Sequence, residues 1–429
     1  MRKQQSKHTA ATVRCMALMM MMAAALSSHA QESEKAFVNE NLAFATRQLN
    51  WKCLHTDSTA ARLPHSMTSD GTAVNFGPKD WTSGFFPGLL WMVAEWNDSE
   101  AWAERAGRWT EKLAPVQYYK GTHDIGFMIN CSYGRAYDRT PNDSLQGVLV
   151  NAAQSLCSRF NPTTGTIKSW DSYRSMSDGK QFEYPVIIDN MMNLELLFVA
   201  SRLTGDESYR NVAITHANNT MKNHVRKDGS TFHVVSYDPN DGKVLRSDTH
   251  QGYADNSTWS RGQAWGIYGF TVCYRETHDK HYLKTAFRCA DFFLHHPNLP
   301  SDRIPWFDFN AYSEGFTPGK ESKCSHGVLN YRDASAAAIT ASALLELSTY
   351  AKGKRADEYR REAVAILHTL GSDNYRAQYG ENGGFVLRHC TGSAPHGKEL
   401  DAPLIYADYY FVEALLRYNK LLQQEKYQK

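Results

Sequence analysis

Apolar positions along the chain recur mostly at helical spacing, and breaks at Gly, Pro and Asp divide the pattern into twelve segments. They lie near 33–50, 83–96, 98–115, 124–138, 141–160, 187–204, 206–224, 260–276, 279–296, 333–349, 354–370 and 404–422. Polarity alternates along this series. The even segments are poor in charge, as in Gly84–Val93, Met191–Leu203, Ala264–Tyr274 and Ala334–Leu345. The odd ones carry charged faces, as in Asp98–Lys112, Asp206–Lys227, Lys280–His295 and Lys354–Glu362. A helix apolar on every side belongs inside a protein, and an amphipathic one belongs on its outside.

The connections alternate as well. Links from an even segment to the next odd one are short, near Asn97, Thr140-Pro141, Gly205, Thr277-His278 and Ala351–Gly353. Links from odd to even are mostly long: 51–82, 161–186, 225–259, 297–332 and 371–403. Short links make antiparallel neighbours. Together the two alternations predict an all-α fold, an (α/α)6 barrel of six inner and six outer helices. All its long loops then fall at one end, where each inner helix begins. Six helix N-termini around one cleft favour an anionic ligand. A β-hairpin is expected in loop 225–259, where Thr231–Tyr237 alternates ahead of the turn sequence 238–242.

The most apolar inner segment begins at Asp189, just after Pro185-Val186-Ile187-Ile188. A carboxylate at the mouth of a buried helix must be capped, paired or partly protonated. Asp124 opens another inner segment, and Trp81 opens a third. Trp259, Arg261, Gln263 and Trp265 open the eighth; Asp333 opens the tenth; Tyr406 and Asp408 open the twelfth. The loops add Trp170, His233, His250 and Gln251. Each has a plainer reading: Asp124, Asp189 and above all Asp333 as helix caps, Arg261 as the partner of a structural acid, the indoles as core. Gathered at one barrel end, they suit a sugar-binding cleft with acid–base chemistry.

Composition narrows the class further. Residues 1–30 join a basic start (Arg2, Lys3, Lys7, Arg14) to a short apolar run and Ser28-His29-Ala30, and they read as a secretory signal peptide ahead of one catalytic domain, 31–429. Export across the inner membrane to the periplasm is the expectation. Removing those four basic residues takes the formal charge from +2 to −2, which argues against a nucleic-acid partner. No later stretch is long and apolar enough to span a bilayer. Cys53, Cys131, Cys157, Cys273, Cys289, Cys324 and Cys390 fit neither a CxxC metal site nor a dense disulfide framework. The histidines follow no HExxH spacing, and neither a phosphate-binding glycine loop nor a GxSxG elbow is present, so no cofactor or metal is expected.

The blocks WTSGFFPGLLW, HDIGFMINCSYGRAY, IIDNMMNLELLF, HQGY and WSRGQAWGIYG occur in that order. Together they resemble the signature blocks of unsaturated glucuronyl hydrolases, glycoside hydrolase family 88, over roughly residues 35–425. The resemblance implies the same six-hairpin barrel. It also implies a substrate bearing a 4,5-unsaturated uronic acid at the non-reducing end, released by hydration of a vinyl ether. Asp189 would be the general acid/base and Asp124 the second essential carboxylate. Trp81, Trp170, His233, Gln251, Trp259, Arg261 and Trp265 match substrate-site positions, with Arg261 expected to hold the uronate carboxylate. Substrate choice is assigned to loops 297–332 and 371–403, through Lys320, Lys323, His326 and the Ser393–Lys398 segment. Three alternatives stay open: an unsaturated rhamnogalacturonyl hydrolase, an inverting glycosidase acting on saturated sugars, and a secreted glycan-binding protein without turnover.

Overall fold

The computed structural model describes residues 31–311, 313–321 and 331–427. The segment 1–30 and three of the residues singled out above, Lys323, Cys324 and His326, lie outside the described residues.

Helix α1 spans 31–54. It is followed by α2 (Phe85–Asn97), α3 (Glu100–Glu111), a π-helical stretch Gly126–Gly134 running into α4 (Arg135–Arg139), and α5 (Asp143–Cys157). Then come α6 (Asn190–Thr204), α7 (Glu207–Asn223), α8 (Ser260–Thr277), α9 (Lys280–His295), α10 (Ala334–Tyr350), α11 (Lys354–Leu370) and α12 (Ile405–Tyr427). The charge-poor elements form a closed ring. α2 meets the π-helical stretch, which meets α6; α6 meets α8, α8 meets α10, α10 meets α12, and α12 returns to α2. Each also packs on an outer partner: α3 on α2, α5 on the π-helix, α7 on α6, α9 on α8 and α11 on α10. α1 closes the outer ring beside α12 and α11, through Gln31 to the Leu422 carbonyl and His368 to Glu34. The barrel is the (α/α)6 architecture expected from the alternation.

Four outer helices and three inner ones start differently. Ser99, Asn142, Asp206 and Asp279 cap the outer helices α3, α5, α7 and α9 by accepting backbone N–H bonds. The inner α2, α6 and α8 begin with no side-chain cap. No side chain neutralises the positive ends of their dipoles at the loop-rich end, where the N–H groups of Phe85, Met191 and Ser260 donate to the carbonyls of Thr82, Ile188 and Phe307. At the opposite end, Glu413 of α12 binds Arg135, Tyr268, Ser342 and Arg417, tying four inner elements together.

Two boundaries differ from the sequence reading. The inner segment expected as an ordinary helix over 124–138 is π-helical across Gly126–Gly134. Here α2 and the π-helix touch backbone to backbone: a Cβ on Gly84 would lie 2.2 Å from the Phe127 carbonyl oxygen. Asn193 Oδ1 of α6 accepts the Phe127 N–H, fixing the widened turn from the other side. The segment expected to be helical from 187 starts instead at Asn190, because the loop before it, after the two-residue strands β3 (Phe160–Asn161), β4 (Thr166–Ile167), β5 (Tyr173–Arg174) and β6 (Gln181–Phe182), ends in strand β7 (Pro185–Ile187). Its β-branched residues are buried and pair antiparallel with β8 (Val234–Tyr237), the first strand of the expected hairpin, which β9 (Val244–Asp248) completes. A second hairpin, β1 (Leu63–Met67) with β2 (Ala73–Phe76), lies in the loop ahead of α2. The six described cysteines are free thiols, and among the described residues no helix is long and apolar enough to cross a membrane.

Candidate active site

The pairing of β7 with β8 builds the centre of the site. Ile188 N–H donates to the His233 carbonyl, so the histidine sits beside the residue that follows, Asp189. His233 Nδ1 accepts the backbone N–H groups of both His250 and Gln251. That fixes the neutral tautomer with its hydrogen on Nε2, which lies 3.7 Å from Asp189 Oδ2. Burial holds the His233 pKa well below its ordinary value, in keeping with a neutral ring.

Asp189 is 7% exposed and makes no capping hydrogen bond, and its Oδ2 has no hydrogen-bond partner. The capping reading therefore fails for this residue. Burial pushes its pKa up, the charge of Asp124 adds to the rise, and His123 and Arg261 oppose it; the outcome is about 7. Asp124 is treated in the opposite way. Burial would raise it, but His123 Nε2 at 3.1 Å, the Thr122 hydroxyl at 2.6 Å and the charge of Arg159 hold it below the usual carboxylate range. Two carboxylates that sense each other thus sit at one barrel end, one protonatable near neutrality and one ionised. Their environments push their pKa values apart, the pattern that separates an acid from a charged partner. Asp189 and Asp124 keep 10% and 13% of their side chains exposed, enough for a reacting atom to touch them.

A strut links the two carboxylates. Ser169 Oγ accepts the N–H of Ile187, two residues before Asp189, and lies 3.3 Å from His123 Nδ1, while the far side of the same ring meets Asp124. Ser169, His123 and Thr122 were not among the expected site residues. The pairing of His123 with Asp124 is local in sequence, but Ser169 comes from the next loop, and no spacing announces it.

Bordering this centre through His250, Gln251 and Arg261 lies a cavity of 320 Å³, lined also by Trp81, Trp170 and Tyr406; the two carboxylates are not themselves part of its wall. Trp81 and Trp170 are half-buried and present ring surface to it. Gln251 reaches the Gly392 carbonyl at 2.9 Å. The sequence reading also missed His65, Phe76, Asp80 and Glu399 in this wall. His65 Nε2 lies 3.4 Å from Glu399 Oε1 although 334 positions separate them, so no local pattern could have joined them.

Three expected substrate contacts are placed otherwise. Arg261 borders the cavity but is 1% exposed, and its guanidinium is engaged by Asp333 at 2.9 Å and by the carbonyls of Thr391 and Gly392. It is not a free fork for a carboxylate; its geometry pins loop 390–393 to α8. Trp259 is buried with its ring 4.3 Å from the His233 ring and 4.6 Å from the Arg261 guanidinium, a platform behind both. Trp265 is 0% exposed and packs on Phe127 and Tyr410 inside the barrel, apart from the cavity wall. Asp333, as its helix-start sequence suggests, caps α10 through the N–H groups of Ser335 and Ala336.

A helical barrel with a protonatable carboxylate, an ionised one and indole faces around a pit is a carbohydrate-cleaving enzyme of the glycosidase class. Over 365 residues the chain is 43% identical to an unsaturated glucuronyl hydrolase of Formosa agariphila, spanning 85% of this chain and 86% of that protein. It belongs to the unsaturated glucuronyl hydrolase family. It is also 30% identical to an unsaturated chondroitin disaccharide hydrolase of Streptococcus pneumoniae, over 86% of this chain and 89% of that one. The crystal structure of an unsaturated glucuronyl hydrolase specific for heparin superposes with a TM-score of 0.81 at 43% identity, covering 90% of this chain and 98% of that chain. No family model matches the chain.

Proposed function

We propose that the enzyme removes the 4,5-unsaturated uronic acid from the non-reducing end of lyase-generated glycosaminoglycan oligosaccharides, with Asp189 as its acid and base. The observation that carries this reading is the elevated pKa of Asp189, about 7, set beside an ionised Asp124. A vinyl ether is hydrated by protonation at carbon, and that needs an acid still protonated near neutral pH. Asp189 gives its proton to C4, leaving a cation shared between C5 and the ring oxygen. The carboxylate of Asp124 stabilises that charge through space. Water then forms the C5–O bond and returns a proton to Asp189. The hemiketal at C5 opens and the neighbouring sugar leaves, with Asp189 restored to its starting state.

His233 offers its Nε2–H to the Asp189 carboxylate in the step where it is charged. Trp81 and Trp170 stack on sugar faces. The substrate carboxylate rests in the field of the uncapped first turns of α2 and α8, while Arg261 keeps the surrounding loop in place. The 43% identity to the heparin-specific structure, against 30% to the chondroitin disaccharide enzyme, favours heparin-type products as first substrates. We further propose that residues 1–30 direct export to the periplasm, with the mature chain starting near Gln31; N-terminal sequencing of a periplasmic fraction tests it.

The test of function follows the absorbance of the conjugated double bond with purified heparin, chondroitin and pectin lyase products. Loss of absorbance with glycosaminoglycan products, abolished in Asp189→Asn, is the expected result. Turnover of pectin products alone would transfer the enzyme to the rhamnogalacturonyl class. Near-normal turnover by Asp189→Asn would refute the assignment of the acid.

A further inference from the structure

Asn193 interrupts an inner helix that is apolar on nearly every side, and no step of the reaction uses it. It is fully buried and lies outside the wall of the substrate cavity. One helical turn separates it from Asp189, and its Nδ2 lies 3.4 Å from the Asp189 carbonyl oxygen. Its Oδ1 accepts the Phe127 N–H at 2.8 Å. Phe127 stands three residues after Asp124, in the turn that the Met128 N–H closes on the Asp124 carbonyl. The π-helical stretch has no side-chain cap of its own at its start, so α6 supplies an acceptor for one of its first N–H groups. The two backbones also meet at this point: a Cβ on Gly126 would lie 2.6 Å from the Asn193 Cα. One buried amide thus joins the chain that carries Asp189 to the chain that carries Asp124.

We propose that Asn193 is a positioning residue for the reaction: it closes the seam between these two chains, fixing the separation of the carboxylates and keeping water from beneath Asp189. The inference rests on the roles given above to Asp189 and Asp124. A buried N–H left without an acceptor is costly, so Phe127 stays on Asn193 and the chains stay in register. Repulsion between two carboxylates varies inversely with their distance and is strongest where water is excluded. The other groups facing Asp189 hang on other partners. His123 is tied to Ser169 by backbone and ring, His233 to Ile188, and Arg261 of α8 to Asp333. Opening the seam therefore weakens the repulsion from Asp124 and hydrates Asp189, and leaves those three in place. Both effects favour the charged form of Asp189.

The test follows kcat and KM for the heparin-lyase disaccharide across the pH range in the wild type, in Asn193→Leu and in Gly126→Ala. The first variant keeps the buried volume and removes the acceptor. The second keeps the amide and forces the chains apart by roughly 1 Å, the shortfall from an ordinary carbon–carbon contact. In both, the alkaline limb of kcat/KM should move down by about one pH unit, so that activity falls about tenfold further at high pH and changes little at low pH. KM should stay nearly unchanged, because neither residue lines the cavity. A role in stability alone would lower activity by one factor at every pH and leave the midpoint where it is. A midpoint that stays or rises in either folded variant would overturn the proposal, as would a loss carried by KM. Failure of both variants to fold would overturn it too, by assigning the contact to the fold rather than to the acid. Wild-type turnover and its loss in Asp189→Asn report on the acid itself, and the displacement of the limb reports on Asn193.

Discussion

Replacing Asp189 by Asn should abolish turnover and yet make the protein more stable, increasingly so as pH rises. Its pKa stands at about 7 in the folded chain against 3.8 for the free group. Between those values the native state keeps a proton that the unfolded chain has released, so stability falls as pH climbs from about 4 to 7 and stays low above it. A shift of roughly three units corresponds to about 4 kcal/mol at pH 8 and less than half of that at pH 5. Asn carries no charge at either pH and avoids the penalty. For a chain of this length 1 kcal/mol moves Tm by roughly 1 °C. Thermal unfolding of Asp189→Asn against wild type should therefore show a gain of about 4 °C at pH 8 and about 2 °C at pH 5. Asp124→Asn is the control with the opposite sign. Its carboxyl is held below the usual range, so the stability it contributes is present above the unfolded pKa and lost on acidification; removing it should lower Tm at neutral pH. A gain in Asp189→Asn that does not depend on pH, or a loss at pH 8, would refute the claim that burial of an unpartnered carboxylate is what arms the acid.

Because Asp189 must be protonated to act, kcat/KM should fall about tenfold per unit above roughly pH 7, and a profile flat to pH 9 would remove it from the acid role. Ser169→Ala should lower kcat by about one order of magnitude while leaving KM nearly unchanged, since it loosens the strut between the carboxylates and touches no sugar-binding surface; steady-state kinetics separate the two. Asp333→Ala should cost about 3–5 kcal/mol, read as a lowered Tm, because it strands the buried Arg261 charge and uncaps α10.

The barrel was legible in the chain because its two signals are local. Whether a segment such as Ala334–Leu345 is apolar on all sides, and whether Gly205 or a long loop follows a helix, can be read within a few turns. The hairpin at 234–248 and the two carboxylates at inner-helix starts were legible for the same reason. What those carboxylates do was not. Asp124, Asp189 and Asp333 all look like caps, yet only Asp333 caps, and the other two are shifted in opposite directions. Those directions depend on desolvation and on charges such as Arg159 beside Asp124 and Arg261 beside Asp189, which folding brings close. The same holds for Arg261, whose partner lies 72 positions away, and for Trp265, whose place in an inner first turn did not reveal that its ring faces the core. The widened turn at Gly126–Gly134 arises from close packing against α2 and α6, to which a one-dimensional periodicity is blind. Periodic burial is a property of each helix by itself, whereas a proton affinity belongs to the whole set of groups that exclude water from one carboxylate, and only the tertiary structure assembles that set.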